Sequence, residues 1–294
     1  SGFPAPFRGS DLSVPSCGCG QIFGVRESGA VYDVFAPRGA AGGKRVAVFT
    51  EADGDLQARA AASGVPLSVF IQEITPISIH LRVFTPTRER GESDSASIAA
   101  LNYAQDHGLS ADFADVVAGE STTAAQFCGG EWLLNQGVVD VLDSRADLAP
   151  LGLTDVQAIQ TASTARPNLV VEVPTLAALD AFQADAASIS AVNRATETTG
   201  LILYTLNAPA DGPQRRVDVS FRCFGPLRGF LEDAASSNML ACLTGVLLKR
   251  GALNMEESLF RAAQRQPGAP ALLTVQYGGP QEPIWVGGTA VHGA

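Results

Sequence analysis

The chain has little positive charge. Its 20 Lys and Arg are outnumbered by 30 Asp and Glu, a formal net charge of −10. Nucleic-acid partners are held by Lys and Arg massed on one face, and no such cluster exists here, so none is expected. Long apolar runs are also missing. None approaches the ~20 residues that cross a bilayer, and the opening SGFPAPFRGSDLSVP has no apolar centre of the signal-peptide kind. The expected setting is therefore soluble and cytoplasmic, with no membrane partner. Cysteine is scarce and odd in number (Cys17, Cys19, Cys128, Cys223, Cys242), which argues against a disulfide framework. Cys17-Gly-Cys19 has no second Cys or His pair at ligand spacing, so no metal is expected. The three histidines, His80, His107 and His292, lie apart and beside no nucleophile motif, which disfavours triad hydrolysis. Gly39-Ala40-Ala41-Gly42-Gly43 fits neither nucleotide-loop pattern and reads as a turn.

What is present is apolar material: 46% of residues are hydrophobic and 17% charged, the balance of a packed globular protein and not of a disordered one. Single cores stop growing near ~250 residues, so a chain of 294 residues is expected to form two lobes. An internal echo supports that division. Leu81-Arg82-Val83-Phe84-Thr85-Pro86 reads as a strand stopped by Pro, and after a polar loop a helix runs from Ser95 to His107, before Gly108. Phe221-Arg222-Cys223-Phe224-Gly225-Pro226 repeats the strand and the stop, and a second helix follows, its apolar run Met239 to Lys249, closed by Gly251. Arg-x-Phe-x-Pro thus occurs twice. β-Branched runs at 31–35 and 46–49 are echoed at 169–173 and 201–204, with helical segments at 56–62 and 176–187 between strands. Both long helices are apolar on nearly all faces, which in a globular protein means a helix enclosed by sheet. The plan is α+β, in two similar lobes meeting at a cleft.

A buried helix has ~4 unbonded N–H groups and about half a positive charge at its N-terminus. Two such ends facing one cleft would seat a carboxylate, lined by Ser95, Ala96 and Ser97 from one helix and Ser236, Ser237 and Asn238 from the other. Ordinary N-capping, worth ~1 kcal/mol per residue, accounts for any one of them alone.

At these residues the sequence resembles the phenazine-biosynthesis PhzF-like family, over about residues 30 to 290. Val31-Tyr32-Asp33-Val34-Phe35 with Gly42-Gly43-Lys44-Arg45-Val46-Ala47-Val48 is similar to that family's opening Asp-Val-Phe and Gly-Gly-Asn-Pro segments. Phe84-Thr85-Pro86 with Glu89, and Arg222-Cys223-Phe224-Gly225-Pro226 with Glu232-Asp233-Ala234-Ala235-Ser236-Ser237-Asn238, are similar to its later signatures. The resemblance implies the diaminopimelate epimerase fold: two pseudo-symmetric lobes, each a mixed β-barrel around a central helix. It divides the chain into an N-terminal extension (1–29), a first lobe (30–150), a second lobe (151–282) and a tail returning to the first lobe (283–294). It also implies a homodimer without cofactor.

The sequence departs from the family where its chemistry sits. The family's proton-shuttling Glu falls near Leu67-Ser68-Val69, where no carboxylate stands. The His at the first helix entrance is replaced within Asp94-Ser95-Ala96, and Gly-Ser at the second becomes Ser237-Asn238. Moving a proton needs an acid and a base on opposite sides of a substrate and fixed dipoles for the developing charge. Candidates are Glu92 or Asp94 from one lobe and Glu232 or Asp233 from the other, Asp94 and Asp233 preferred, with Glu73 a weaker substitute. Desolvation in a closed cleft would raise at least one pKa and set one acid against one base. The expected activity is a cofactor-independent isomerase shifting a proton or double bond on a small unsaturated carboxylic acid. Specialised, antibiotic-type biosynthesis is the expected setting, an alkylproline-pathway intermediate being one substrate that would suit. The alternative is a noncatalytic ligand-binding or scaffold protein that kept the cleft.

Overall fold

A computed structural model describes residues 29–37, 39–206 and 219–293. Cys17, Cys19 and nearly all of the expected N-terminal extension lie outside them. The first run of elements is β1 (Ala30–Val34), β2 (Lys44–Phe49), α1 (Leu56–Ala62), β3 (Leu67–Thr75), β4 (Ser78–Phe84), β5 (Glu89–Arg90), α2 (Asp94–Asp106), β6 (Phe113–Ala118), β7 (Ser121–Cys128) and β8 (Glu131–Asn135). After β9 (Asp140–Asp143) come β10 (Ala158–Ser163), β11 (Asn168–Glu172), α3 (Leu176–Ala181), α4 (Ala186–Ala195), β12 (Gly200–Thr205), β13 (Val219–Gly225) and β14 (Phe230–Asp233). The chain ends its regular structure with α5 (Ser237–Lys249), β15 (Leu259–Gln264), β16 (Ala271–Gln276), β17 (Trp285–Gly288) and β18 (Ala290–His292).

All the strands belong to one mixed sheet. Its first run is β18-β1-β2-β3-β4-β6-β7-β8, with β2/β3 and β4/β6 parallel and β5 appended to β4. Its second run is β9-β10-β11-β12-β13-β15-β16-β17, with β11/β12 and β13/β15 parallel and β14 appended to β13. The two runs have the same pairing order and the same two parallel steps, and β8 joins β17 antiparallel. The fold is α+β, with two runs of strands of like order in one sheet. The parallel step from β2 to β3 is crossed over by α1, and that from β11 to β12 by α3 and α4, as parallel pairs require.

The ladder shifts one echo. Residues 169–173 and 201–204 fall in β11 and β12, which correspond to β2 and β3 and not to the 31–35 and 46–49 runs of β1 and β2. The true counterpart of β1 is β10, Ala-Ile-Gln-Thr-Ala-Ser, which sequence reading passed over because it is neither apolar-rich nor clearly alternating.

Helix α2 packs against β1, β2, β3, β4, β8, β17 and β18, and α5 against β9, β10, β11, β16 and β17. Residues Ser95 to Leu101 and Met239 to Leu248 are buried, so each helix is wrapped by sheet as its all-round apolarity demands. One apolar core runs through both lobes and includes Ile98, Leu101, Leu240, Leu243 and Val246. Smaller cores lie under α1 and under α3 and α4 on the outer faces of the sheet. No helix among the described residues is long and apolar enough to cross a membrane.

The repeated Arg-x-Phe-x-Pro segment builds the same object twice. In the first lobe Arg82 donates to both carboxylate oxygens of Glu89, each at 2.8 Å, and stacks 5.2 Å from the Phe84 ring. In the second, Arg222 donates to Glu232 at 2.8 and 3.0 Å and stacks 5.1 Å from Phe224. Each Pro falls just past the strand, where its missing N–H breaks no ladder bond, and the chain turns into a short partner strand that leads to the helix entrance. The spacing of Arg and Phe is therefore that of a hairpin clamp.

Candidate active site at the two helix entrances

The two wrapped helices begin at one place. In α5 the N-cap is Ser236, whose hydroxyl accepts from the Met239 N–H at 3.4 Å, and Ser237 is the first helical residue. In α2 the N-cap is Ser93, which makes no side-chain cap bond but shares a hydrogen bond with Ser95 at 3.2 Å. Asp94 is then the first residue inside the helix. Its carboxylate accepts from Gln136 Nε2 at 3.3 Å, and Gln136 is held by its own N–H to the carbonyl of Ile284 at 2.8 Å. The Ser237 hydroxyl is buried without a hydrogen bond of normal geometry and lies near enough to Asp94 to affect its proton affinity. The first residues of the two helices are therefore neighbours.

Asp94 is half-buried, and its pKa is raised. Burial is the main cause, since the charged form loses hydration, and the negative charge of Glu92 adds to it. Ser237, Gln136 and the charge of Lys44 act in the opposite direction.

Lys44 is the residue that sequence reading missed. It opens β2 in the first lobe, yet its Nζ lies 2.7 Å from Asp233 Oδ1 and donates to the carbonyl of Ala235 at 2.8 Å, both at the entrance of α5. Two glycines bring it there. A Cβ on Gly43 would lie 2.0 Å from the carbonyl oxygen of Val34, and one on Gly42 2.1 Å from that of Pro270 in the other lobe. Gly42 and Gly43 also hold φ of +148° and +70°. A signal existed: a cation stands where the resembled family has Asn after Gly-Gly.

Asp233 ends β14, and its Oδ1 also accepts from the Ala235 N–H at 3.3 Å. Buried Gln264 ties this loop down, donating to the Asp233 carbonyl and accepting from the Ser236 N–H at 2.8 Å. The structure thus gathers Asp94, Ser237 and, through Lys44, Asp233.

Other expected residues are elsewhere or otherwise engaged. Glu232 is committed to Arg222, whose remaining donors go to the carbonyls of Leu179 and Phe182, so it serves the hairpin and not the cleft. Glu92 is exposed on the loop before α2. Ser95, Ala96 and Ser97 are buried in the first turn. Asn238 donates to Thr164 Oγ1 at 2.7 Å. Glu73 is exposed beyond a bulge in β3 and is not brought to the entrances. At the position of the family's missing Glu, buried Ser68 donates to Ser63 at 3.1 Å, and no charge stands there.

Among the described residues no three His, Cys, Asp or Glu side chains gather so as to hold a metal ion. A groove of about 330 Å³ lined by Gln72, His80, Arg82, Glu89 and Arg90 is built from one lobe and contains none of the entrance residues.

No family model matches the chain, and no curated protein does. Solved structures do. A PhzF-family phenazine biosynthesis protein of Bacillus anthracis superposes with a TM-score of 0.74 at 17% identity, over 90% of this chain and 96% of that one. A predicted epimerase of Pseudomonas aeruginosa gives 0.65 at 22% identity, over 90% and 96%. A probable proline racemase of Agrobacterium radiobacter gives 0.56 at 10% identity, over 90% of each chain. At these identities the likeness establishes a PhzF-like fold.

Proposed function

We propose that the chain is an isomerase that moves a proton on a small carboxylic acid bound between the two helix entrances. The observation that carries this reading is the meeting of Asp94, with its raised pKa, and Ser237 at the N-termini of two buried helices, with Lys44 fixing Asp233 beside them. The N–H groups of the two first turns supply positive potential for the substrate carboxylate and for charge developing on it. Asp94, protonated more readily than an ordinary carboxyl, is the acid; Asp233, in contact with a cation, is the base. A proton leaves one carbon for Asp233 and another reaches a second carbon from Asp94, so the substrate is isomerised without change in composition. The phenazine-biosynthesis, epimerase and racemase proteins that share the fold fit this class. The proposed substrates are unsaturated acids of specialised biosynthesis, and the proposed working form is a cytoplasmic homodimer.

The test is incubation of the protein in deuterated buffer with a panel of unsaturated carboxylic acids, followed by NMR. Deuterium entering carbon positions supports the reading. Two observations favour a second, noncatalytic reading: Asp233 is already paired with Lys44, and Ser68 provides no acid. Binding of a panel acid without any exchange would support that alternative.

A further inference from the structure

A second polar group lies beside the α5 entrance and takes no part in proton transfer. Asn238 donates to Thr164 in the β10–β11 turn, and the next turn of the helix carries Cys242, whose sulfur accepts from Asn168 Nδ2 at 3.3 Å. Asn168 Oδ1 in turn accepts from Arg228 Nη2 at 2.7 Å. Arg228 ends the short 3-10 turn after β13, and Thr199 Oγ1 fixes the same edge of its guanidinium, at 3.0 Å from Nε and 2.8 Å from Nη2. The guanidinium lies against Gly200. A Cβ there would come within 3.1 Å of Arg228 Cζ and 2.4 Å of Asn168 Oδ1, so only glycine leaves it room.

The fork is thus held at one edge by neutral oxygens, while its Nη1 corner bonds to nothing among the described residues. Arg166 stands next to it, one residue before Pro167, whose carbonyl is 3.5 Å from Arg228 Nη2. Arg166 is exposed and makes no ion pair among the described residues, and its charge opposes that of Arg228. Glu197, the nearest acid along the chain to Thr199, is exposed and pairs with neither arginine. A rigidly oriented guanidinium with an open corner, with a second arginine on the segment that packs against it, suits an oxyanion that accepts several N–H groups.

We infer that Arg228 and Arg166 form a binding site for a small oxyanion, a carboxylate or a phosphate, at the rim of the second lobe. The site stands apart from the proton-transfer reading and is tested by binding alone. Full-length protein is titrated calorimetrically near pH 7 with inorganic phosphate and, separately, with succinate. One site is expected for at least one of them, and the tighter of the two identifies the group as phosphate or carboxylate. Arg166→Gln is expected to weaken it ten-fold or more; since that side chain is exposed and bonds nothing among the described residues, the variant should keep the wild-type melting temperature. Arg228→Lys, which keeps the charge and loses the fork, should weaken it by a similar factor, whereas Asp94→Asn and Ser237→Ala should bind like the wild type. Absence of binding for both anions, binding untouched by the arginine variants, or binding lost in Ser237→Ala but kept in Arg166→Gln would overturn the inference.

Discussion

Asp94 illustrates how one carboxyl can be pushed toward acid chemistry by its place in the chain. Replacement by Asn keeps its size and most hydrogen bonds but removes the proton, so isotope exchange with any active panel acid should fall by ~10²-fold or more. The same variant should change stability in a pH-dependent way. The folded pKa of Asp94 lies above its unfolded value. Below the unfolded carboxylate range, near pH ~4, both states are protonated and the group contributes no penalty; as pH rises through the folded value, a carboxylate must ionise inside the fold and stability falls. Asp94→Asn should therefore gain on the wild type between about pH 4 and neutrality, and the gain should vanish in acid, as urea titrations across that range would show. Lys44→Met should cost about 2 kcal/mol, the scale of a partly buried charged hydrogen bond, and Asp233→Asn about as much, the double variant losing less than the sum. The positions of Asp94 and Asp233 at the helix entrances were legible in the sequence, because each stands in a local pattern of polar residues before an apolar helix. Lys44 was not, since its partners lie in the other half of the chain and only the fold brings them together.

The helix-entrance hairpins show that a repeated sequence motif can be structural and still decide where chemistry sits. Arg222 and Glu232 are almost enclosed, with side-chain exposures of 4% and 12%, whereas Arg82 and Glu89 retain 39% and 47%. Glu232→Gln should thus leave a buried guanidinium unpaired and cost about 3 kcal/mol, while leaving exchange activity in place below the lowered melting temperature. Glu89→Gln in the exposed copy should cost less than about 1 kcal/mol. Loss of exchange in fully folded Glu232→Gln protein would return that residue to the chemistry. The sequence marked the places of these hairpins, because strand, Pro stop, polar loop and apolar helix recur in order, but the partner strands β5 and β14 were read as loop. It misled on two points of position. Helix α2 begins at Asp94, one residue before the expected Ser95, with Ser93 as an N-cap that makes no side-chain cap bond to mark it. And β10, whose residues are partly exposed and polar, lacks the β-branched density by which β11 and β12 are recognised.

In the whole molecule the two lobes share one sheet, and the β8–β17 pair is the seam. Gly287 makes the seam possible, since a Cβ there would lie 1.9 Å from the carbonyl oxygen of Trp132, a backbone atom that cannot step aside. Gly287→Ala should cost about 3 kcal/mol, read from the urea midpoint, and a smaller loss would mean that the seam yields. Because the ladder and the apolar core both run unbroken through the lobes, thermal unfolding of the wild type should be a single transition, and two resolved transitions would contradict that. The duplication could be read from the sequence; the seam could not, for strand partners so far apart leave no local trace. The placing of β18 carries a further consequence, for synthesis on the ribosome. Strand β1 has β2 on one side and β18, translated after the whole second lobe, on the other. The first lobe therefore waits, with one edge of β1 bare, until the second has been made. An N-terminal half released early would present that edge to other copies of itself, so truncated chains should aggregate where the full chain folds.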